Sequence, residues 1–182
     1  MERTLELWIA ERDQDQNVEL VDKAREGDAN AFDALFQRHK RFVFNICLGI
    51  LGSGEDAADA TQDAFIHAHG RLKGFRGGAS FRTWLYRIAV NCAVDLARKR
   101  KRSGIAGLEA ADSAWSGSEN DRVWEAILEL PPDMRAALVL FYFNDLSGKE
   151  LAEALGCSSG AARVRLHRAR KSFKQKYQEI AR

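Results

Sequence analysis

A chain of 182 residues with 46% hydrophobic and 30% charged residues has material for one sizeable domain or two small ones. Apolar residues recur at helical period almost throughout and β-branched alternation is absent. This predicts an all-α protein of two small helical domains and argues against a parallel sheet. The net charge of +2 hides a segregated pattern that suits a nucleic-acid reader: Arg163 to Lys176 holds seven cations and no acid, and Glu109 to Asp133 holds seven acids against Arg122 alone. Cys47, Cys92 and Cys157 are widely spaced in apolar helical patterns and read as reduced core thiols of a cytoplasmic protein, with redox sensing as the alternative. No apolar run is long enough to span a bilayer and the N-terminus is acidic where a signal peptide would be basic, so membrane insertion is not expected.

Residues 1–16 carry Leu5, Leu7, Trp8 and Ile9 amid charges and form an N-terminal extension, either packed back on the first domain or kept as a docking segment. From Asn17 a helix is expected with Val18, Val21 and Ala24 inward and Gly27 at its end, after which Asp28 caps the next. Ala31 to Leu51 carries Phe32, Leu35, Phe36, Phe42, Val43, Ile46 and Leu51, which should form much of the first core. Gly52-Ser53-Gly54 breaks the chain, and the following helix opens on Glu55 and Asp56, acids that suit a positive dipole end. A solvated acidic face accounts for that helix without any partner. His67 and His69 lack a third ligand at a supporting spacing, so no metal is expected.

Phe75 to Arg102 reads FRGGASFRTWLYRIAVNCAVDLARKRKR. Ser80 can cap a helix in which Phe81, Leu85, Ile88, Cys92 and Leu96 form a core stripe. On a neighbouring face fall Thr83, Arg87, Asn91, Val94 and Arg98, with Trp84 at the border. Cations that hold phosphate, an amide that can bond a base edge and a ring that can stack on an unpaired base suit nucleic acid better than plain solvent. Arg98, Lys99, Arg100, Lys101 and Arg102 close the helix either as a solvated, dipole-compensating end or as a phosphate grip; the adjacent stripe favours DNA.

FRGGASFRTWLYRIAVN closely resembles the part of extracytoplasmic-function (ECF) sigma factors that melts and reads the -10 promoter element. The resemblance places Asn91 in the pocket for a flipped-out base of the strand opposite the template, under a loop containing Gly77 and Gly78. It also implies that Asp59, Gln62 and Asp63 contact a basic coiled coil of RNA polymerase, with Phe65 mainly in the core. Thr61 stands where an aliphatic residue is usual in that family, and His69 where an aromatic is expected.

After Arg102 the composition turns to small and polar residues, and 103–119 reads as a flexible linker. It is either a plain tether or, by the resemblance, a segment threading towards the polymerase's RNA exit path, with Glu109, Asp112 and Glu119 facing basic walls. A second domain over 120–182 begins with Val123, Trp124, Ile127, Leu128 and Leu130 on one helix, stopped by Pro131-Pro132, and continues with a helix from Met134 to Phe143. Ser147 and Glu150 have capping-box spacing before a short helix, Gly156-Cys157-Ser158 forms a turn, and a long basic helix follows. This is a helix-turn-helix. Ala162, Leu166, Ala169 and Phe173 mark its buried stripe, so Arg163, His167, Arg168, Arg170 and Lys171 project outward. The resemblance extends to the -35 reading helix of the same family. It makes Arg163, His167 and Arg168 groove contacts and Arg170 and Lys171 phosphate contacts, while Val164 stands where a small polar residue is frequent.

The expectation is therefore an ECF sigma factor with 17–102 as region 2 and 120–182 as region 4. It would bind core RNA polymerase and promoter DNA, carry no cofactor, and leave phosphodiester chemistry to the polymerase. No nucleophile, base and orienting residue share a motif. Control is expected from a separate partner such as an anti-sigma protein, from expression level, or from modification of a residue such as Thr61. The alternative is a stand-alone helix-turn-helix regulator with a sensing or dimerising first domain, which would have no need of the stripe between Phe81 and Arg102.

Overall fold

The computed structural model of the protein describes residues 17–103, 120–144 and 146–181. The N-terminal extension and nearly all of the expected linker, including Glu109, Asp112 and Glu119, lie outside the described residues. Helix α1 covers 17–25. It is followed by α2 (Ala29–Leu51), α3 (Gly54–Arg71), a 3-10 turn (Leu72–Gly74) and α4 (Phe81–Arg102), then α5 (Asn120–Leu128), α6 (Pro132–Phe143), α7 (Gly148–Ala154) and α8 (Ser159–Ile180). No strand occurs among the described residues, so the all-α expectation holds.

The helices start where short polar side chains can satisfy free backbone N–H groups. Asp28 accepts from the N–H of Asn30 at 2.8 Å and of Ala31 at 3.2 Å, Ser80 from Thr83 at 3.1 Å, and Ser158 from Ala161 at 3.2 Å. Before α7 the capping box closes in both directions: the Glu150 N–H donates to the Ser147 hydroxyl at 3.3 Å and the Ser147 N–H to the Glu150 carboxylate at 2.9 Å. Each such cap is worth about 1 kcal/mol.

In the first half, α3 offers a stripe of small residues, Ala57, Ala60, Ala64 and Ala68, all buried. This lets α2 and α4 approach closely with Leu35, Val43, Ile46 and Ile50 from one and Phe81, Leu85 and Ile88 from the other. Two expected core positions fall outside. Val18 is exposed because Asn17 turns inward instead, its side-chain oxygen accepting from Arg38 at 3.0 Å and lying 3.4 Å from the ring of buried His39. Phe42 is also exposed, since Val43, Ile46 and Cys47 take the inner face of α2. In the second half, Trp124 of α5 stacks on Phe143 of α6 with ring centroids 4.9 Å apart. The turn into α8 passes through Gly156 at φ 63, a left-handed conformation that glycine adopts without strain.

The two halves pack on each other, and one buried cluster runs through both. Arg135 of α6 is the polar pin of this contact. Its guanidinium donates to the carbonyl of Ile50 at the end of α2 at 2.7 Å, to that of Leu130 at 2.8 Å, and to that of Leu128. A planar fork can serve several carbonyls at once, where a lysine offers a single point charge. Burial pulls the Arg135 pKa below its usual value, which these acceptors tolerate by taking the place of lost water.

Close approach is possible because Gly49 of α2 has no side chain: a Cβ there would lie 2.7 Å from a methyl of Val139 and 3.5 Å from the Trp124 ring. Gly52 is equally tight against Leu128, at 2.7 Å. Gly49→Leu should consequently separate the halves without unfolding either. The substitution favours α2 by about 1 kcal/mol in helix propensity, whereas β-branched Val139 cannot rotate out of the way. Small-angle scattering should show a radius of gyration above the roughly 16 Å of a fully compact chain of this length, with helical circular dichroism unchanged. An unchanged radius would show that the contact repacks around the leucine.

Candidate nucleic-acid and polymerase interface

Helix α4 is buried on most of its circumference, because α2 and α3 cover one side and α6 and α7 another. Phe81, Leu85 and Ile88 are core as expected. Thr83 and Val94, placed on the polar stripe by spacing, are buried as well, and the Thr83 hydroxyl shares a hydrogen with Ser80 at 2.8 Å. What remains outward is a narrow strip in which Arg87, Asn91, Asp95, Arg98 and Arg102 are exposed and Trp84 is half-buried. The Trp84 ring is not free-standing. It sits 5.0 Å from Phe75 in the glycine-containing loop and 5.6 Å from Phe81, so this cluster ties the loop to the start of the strip.

The basic end of α4 divides into two sets. Lys99, Lys101 and Arg102 are exposed and, with Asp95 and Arg98, border a shallow depression of about 670 Å³. Arg98 and Arg100 are engaged within the protein instead. Arg98 pairs with Asp133 of α6 at 2.8 Å and with Asp95 at 3.8 Å, and Arg100 pairs with the buried carboxylate of Asp56 at the start of α3. An uncompensated carboxylate at that depth would be costly, so Arg100 has a structural task before any phosphate is present. Arg87, though exposed, abuts the helix-turn-helix: its guanidinium lies 3.0 to 3.2 Å from where a Cβ on Gly156 would stand. One turn earlier, Arg82 pairs with Glu150 at 3.0 Å. Burial alone would raise the Glu150 carboxyl, but hydrogen bonds from Ser147 and the Arg82 charge outweigh it and hold its pKa below the usual value.

On α3, Asp59, Gln62 and Asp63 are all exposed on one face, while Phe65 is buried against Phe36 in an edge-to-face contact at 4.7 Å. His69 fills the place of an aromatic, its ring meeting Phe32 edge-on at 4.7 Å, and the Thr61 hydroxyl donates to the Ala57 carbonyl at 2.6 Å. Beside this acidic face lies an apolar groove of about 780 Å³ between α2 and α3, lined by Phe32, Phe36, Phe44 and Ile66 with Lys40 and Arg41 at its side. Spacing alone assigned Phe32 and Phe36 to the core. The signal for the groove is Ile66, which directly follows Phe65 on a helix whose inner stripe is complete without it, and which is 60% exposed.

On α8, Ala162, Leu166 and Ala169 are buried, and Arg163, His167, Arg168 and Lys171 are exposed on the far side. Arg170 differs. Its guanidinium lies over the rings of Phe141 and Tyr142 at 5.0 and 5.4 Å, a cation–π contact that holds it to α6 beside the outward face. The run Phe141-Tyr142-Phe143 cannot all point inward on one helix, and Tyr142 and Phe143 are indeed exposed. Among the described residues no group of His, Cys, Asp and Glu could hold a metal ion.

Residues 35–103 match the family model for sigma-70 region 2 and residues 120–173 that for sigma-70 region 4. The ECF RNA polymerase sigma-E factor of Escherichia coli K12 is 35% identical, over 90% of this chain and 95% of its own. The chain belongs to the ECF sigma factors. The RNA polymerase sigma-H factor of Pseudomonas aeruginosa is 31% identical, over 93% of this chain and 97% of its own. Among solved structures, CnrH in complex with the cytosolic domain of CnrY is similar with a TM-score of 0.69 and 28% identity, over 88% of this chain and 96% of that one.

This sigma factor accordingly binds core RNA polymerase and promoter DNA and directs transcription initiation; the match to region 2 sets aside a stand-alone regulator. No helix among the described residues is long and apolar enough to cross a membrane. Two of its thiols, Cys47 and Cys92, hold their protons tightly. Burial pushes the Cys47 thiol up to about 12 and Cys92, which lies 3.5 Å from His67, up to about 11; burial also pushes the Tyr86 hydroxyl up to about 12. The folded state therefore keeps these protons where the unfolded chain releases them, so stability is intact below the ordinary thiol pKa and falls as pH rises above about 9. Urea unfolding between pH 7 and 10.5 should show that decline, and Cys47 should react with a thiol reagent at pH 8 only after unfolding. Stability that is flat to pH 10.5, or prompt labelling of folded Cys47, would contradict it.

Proposed function

We propose that the exposed strip of α4 captures an unpaired base of the -10 element, that α8 reads the -35 duplex, and that the acidic face of α3 with its neighbouring groove docks on polymerase. The observation that carries this reading is the strip itself. Asn91 is exposed between Arg87 and Arg98, beside a half-buried Trp84 and a glycine-containing loop, on a helix otherwise committed to packing. Asn91 is assigned the flipped base, Trp84 with Phe75 the wall it rests on, and Lys99, Lys101 and Arg102 the adjoining phosphates. Arg98 joins them when it leaves Asp133. Arg163, His167 and Arg168 are assigned base contacts and Lys171 a phosphate. Arg170 instead keeps its place over Phe141 and Tyr142. The protein supplies no reacting group of its own, and it works in the cytoplasm beside the polymerase.

In the packed arrangement Arg87 and Arg98 face the second half, so the strip is fully available only when the halves part. Binding to polymerase separates them in this reading. An anti-sigma protein would act by holding them together.

Two measurements test the assignment. Asp59→Lys with Asp63→Lys should leave unfolding free energy within about 0.5 kcal/mol, since both side chains are exposed, yet weaken association with core polymerase on the order of tenfold. Unchanged holoenzyme assembly would make this face merely solvated. Asn91→Ala should slow open-complex formation on a duplex promoter about tenfold, the size of one lost base contact, and matter little on a template already mismatched through the -10 region. Permanganate reactivity of -10 thymines reads both templates. Equal reactivity of variant and wild type on the duplex would remove Asn91 from melting.

A further inference from the structure

We infer that Val164 of α8 recognises the C5-methyl group of a thymine in the -35 duplex. The inference rests on the reading of α8 as the helix that enters the major groove. Val164 is 49% exposed and is the sole large hydrophobic side chain exposed on α8. A single exposed valine is ordinary on a protein surface. Its surroundings here are not. It lies in the second turn of α8, where a recognition helix meets base edges, and Arg163, His167, Arg168 and Lys171 are exposed around it on the same outward side.

The turn before it is stripped of bulk. Ser159, Gly160 and Ala161 are exposed, and a Cβ added to Gly160 would meet nothing within 4 Å. Nothing in that turn holds the helix away from the groove floor, so a side chain as short as valine can reach a base edge between the longer arginines. Val164 cannot bond a phosphate or any donor or acceptor. The single apolar feature that B-DNA presents in the major groove is the thymine methyl. Valine is also held to one dominant χ1 rotamer in a helix, so its methyls are in place before binding. Facing guanine or cytosine it would strip water from a polar edge and return no hydrogen bond, so selection against those bases adds to the apolar gain.

The test uses holoenzyme reconstituted from core polymerase and the full chain, with a pool of promoter duplexes randomised through the -35 element. Wild-type holoenzyme should enrich thymine at one position, and Val164→Ser, which leaves the helix intact by circular dichroism, should lose preference there alone. Replacing that thymine by deoxyuridine, which lacks only the methyl, should weaken wild-type binding about two- to fourfold and leave Val164→Ser unaffected. Equal wild-type affinity for thymine and deoxyuridine would overturn the assignment while sequence selection by α8 stands. Thymine enrichment that persists in Val164→Ser would overturn it in the same way. A wild-type holoenzyme that enriches no sequence in the element would instead refute the reading of α8 as a base reader, and the inference with it.

Discussion

Everything in this molecule depends on how much of α4 is buried. A helix on the surface of a small domain usually turns one stripe inward and leaves the rest to solvent. Here α2 and α3 cover one side and α6 and α7 another, so Tyr86, Ala89, Val90, Ala93 and Val94 are buried along with Phe81, Leu85 and Ile88. The residue positions left over form a strip one side chain wide. Because its backbone is held on two sides, Asn91 and its neighbours are presented with little freedom to lose, which is what a pocket for a single extruded base requires.

In the proposed reading, the same double burial couples binding to domain arrangement. The second half is held by a glycine-to-valine approach at Gly49 and the Arg135 fork on the Ile50 carbonyl, both at α2, and by the half-exposed ion pairs Arg98–Asp133 and Arg82–Glu150 at α4. Partly exposed ion pairs are each worth about 1 kcal/mol or less, so most of the holding energy comes from the apolar contact and from Arg135. The first covering rests on its alanine stripe and fully buried leucines, with Arg100 on the buried carboxylate of Asp56 as its ion pair to α3. An opening transition would leave the fold of each half intact.

Much of this was legible in the sequence, and what was not has a physical cause. Caps are local, so Asp28, Ser80 and the Ser147–Glu150 box are where short-range spacing puts them. The buried stripe of α8 also follows from period, while Asp59, Gln62 and Asp63, singled out by the family resemblance, are exposed. Periodicity says which residues share a face but not how many faces are covered, and this hid the burial of Thr83 and Val94. It also cannot say where a long side chain ends. Arg98 reaches Asp133, Arg100 reaches Asp56, and Arg170 lies over Phe141 and Tyr142, all partners distant in sequence. The groove beside α3 went unseen because half-buried and fully buried phenylalanines repeat at the same spacing.

The central claim is that the strip on α4 meets single-stranded promoter DNA. The most direct measurement places a photoreactive phenylalanine derivative at Asn91 and maps its crosslinks in holoenzyme on a promoter recovered by run-off transcription from genomic fragments. The account predicts crosslinks to one or two bases of the -10 element on the strand opposite the template, appearing only once the complex has opened. Crosslinks confined to polymerase protein, or equally strong on closed duplex, would contradict it.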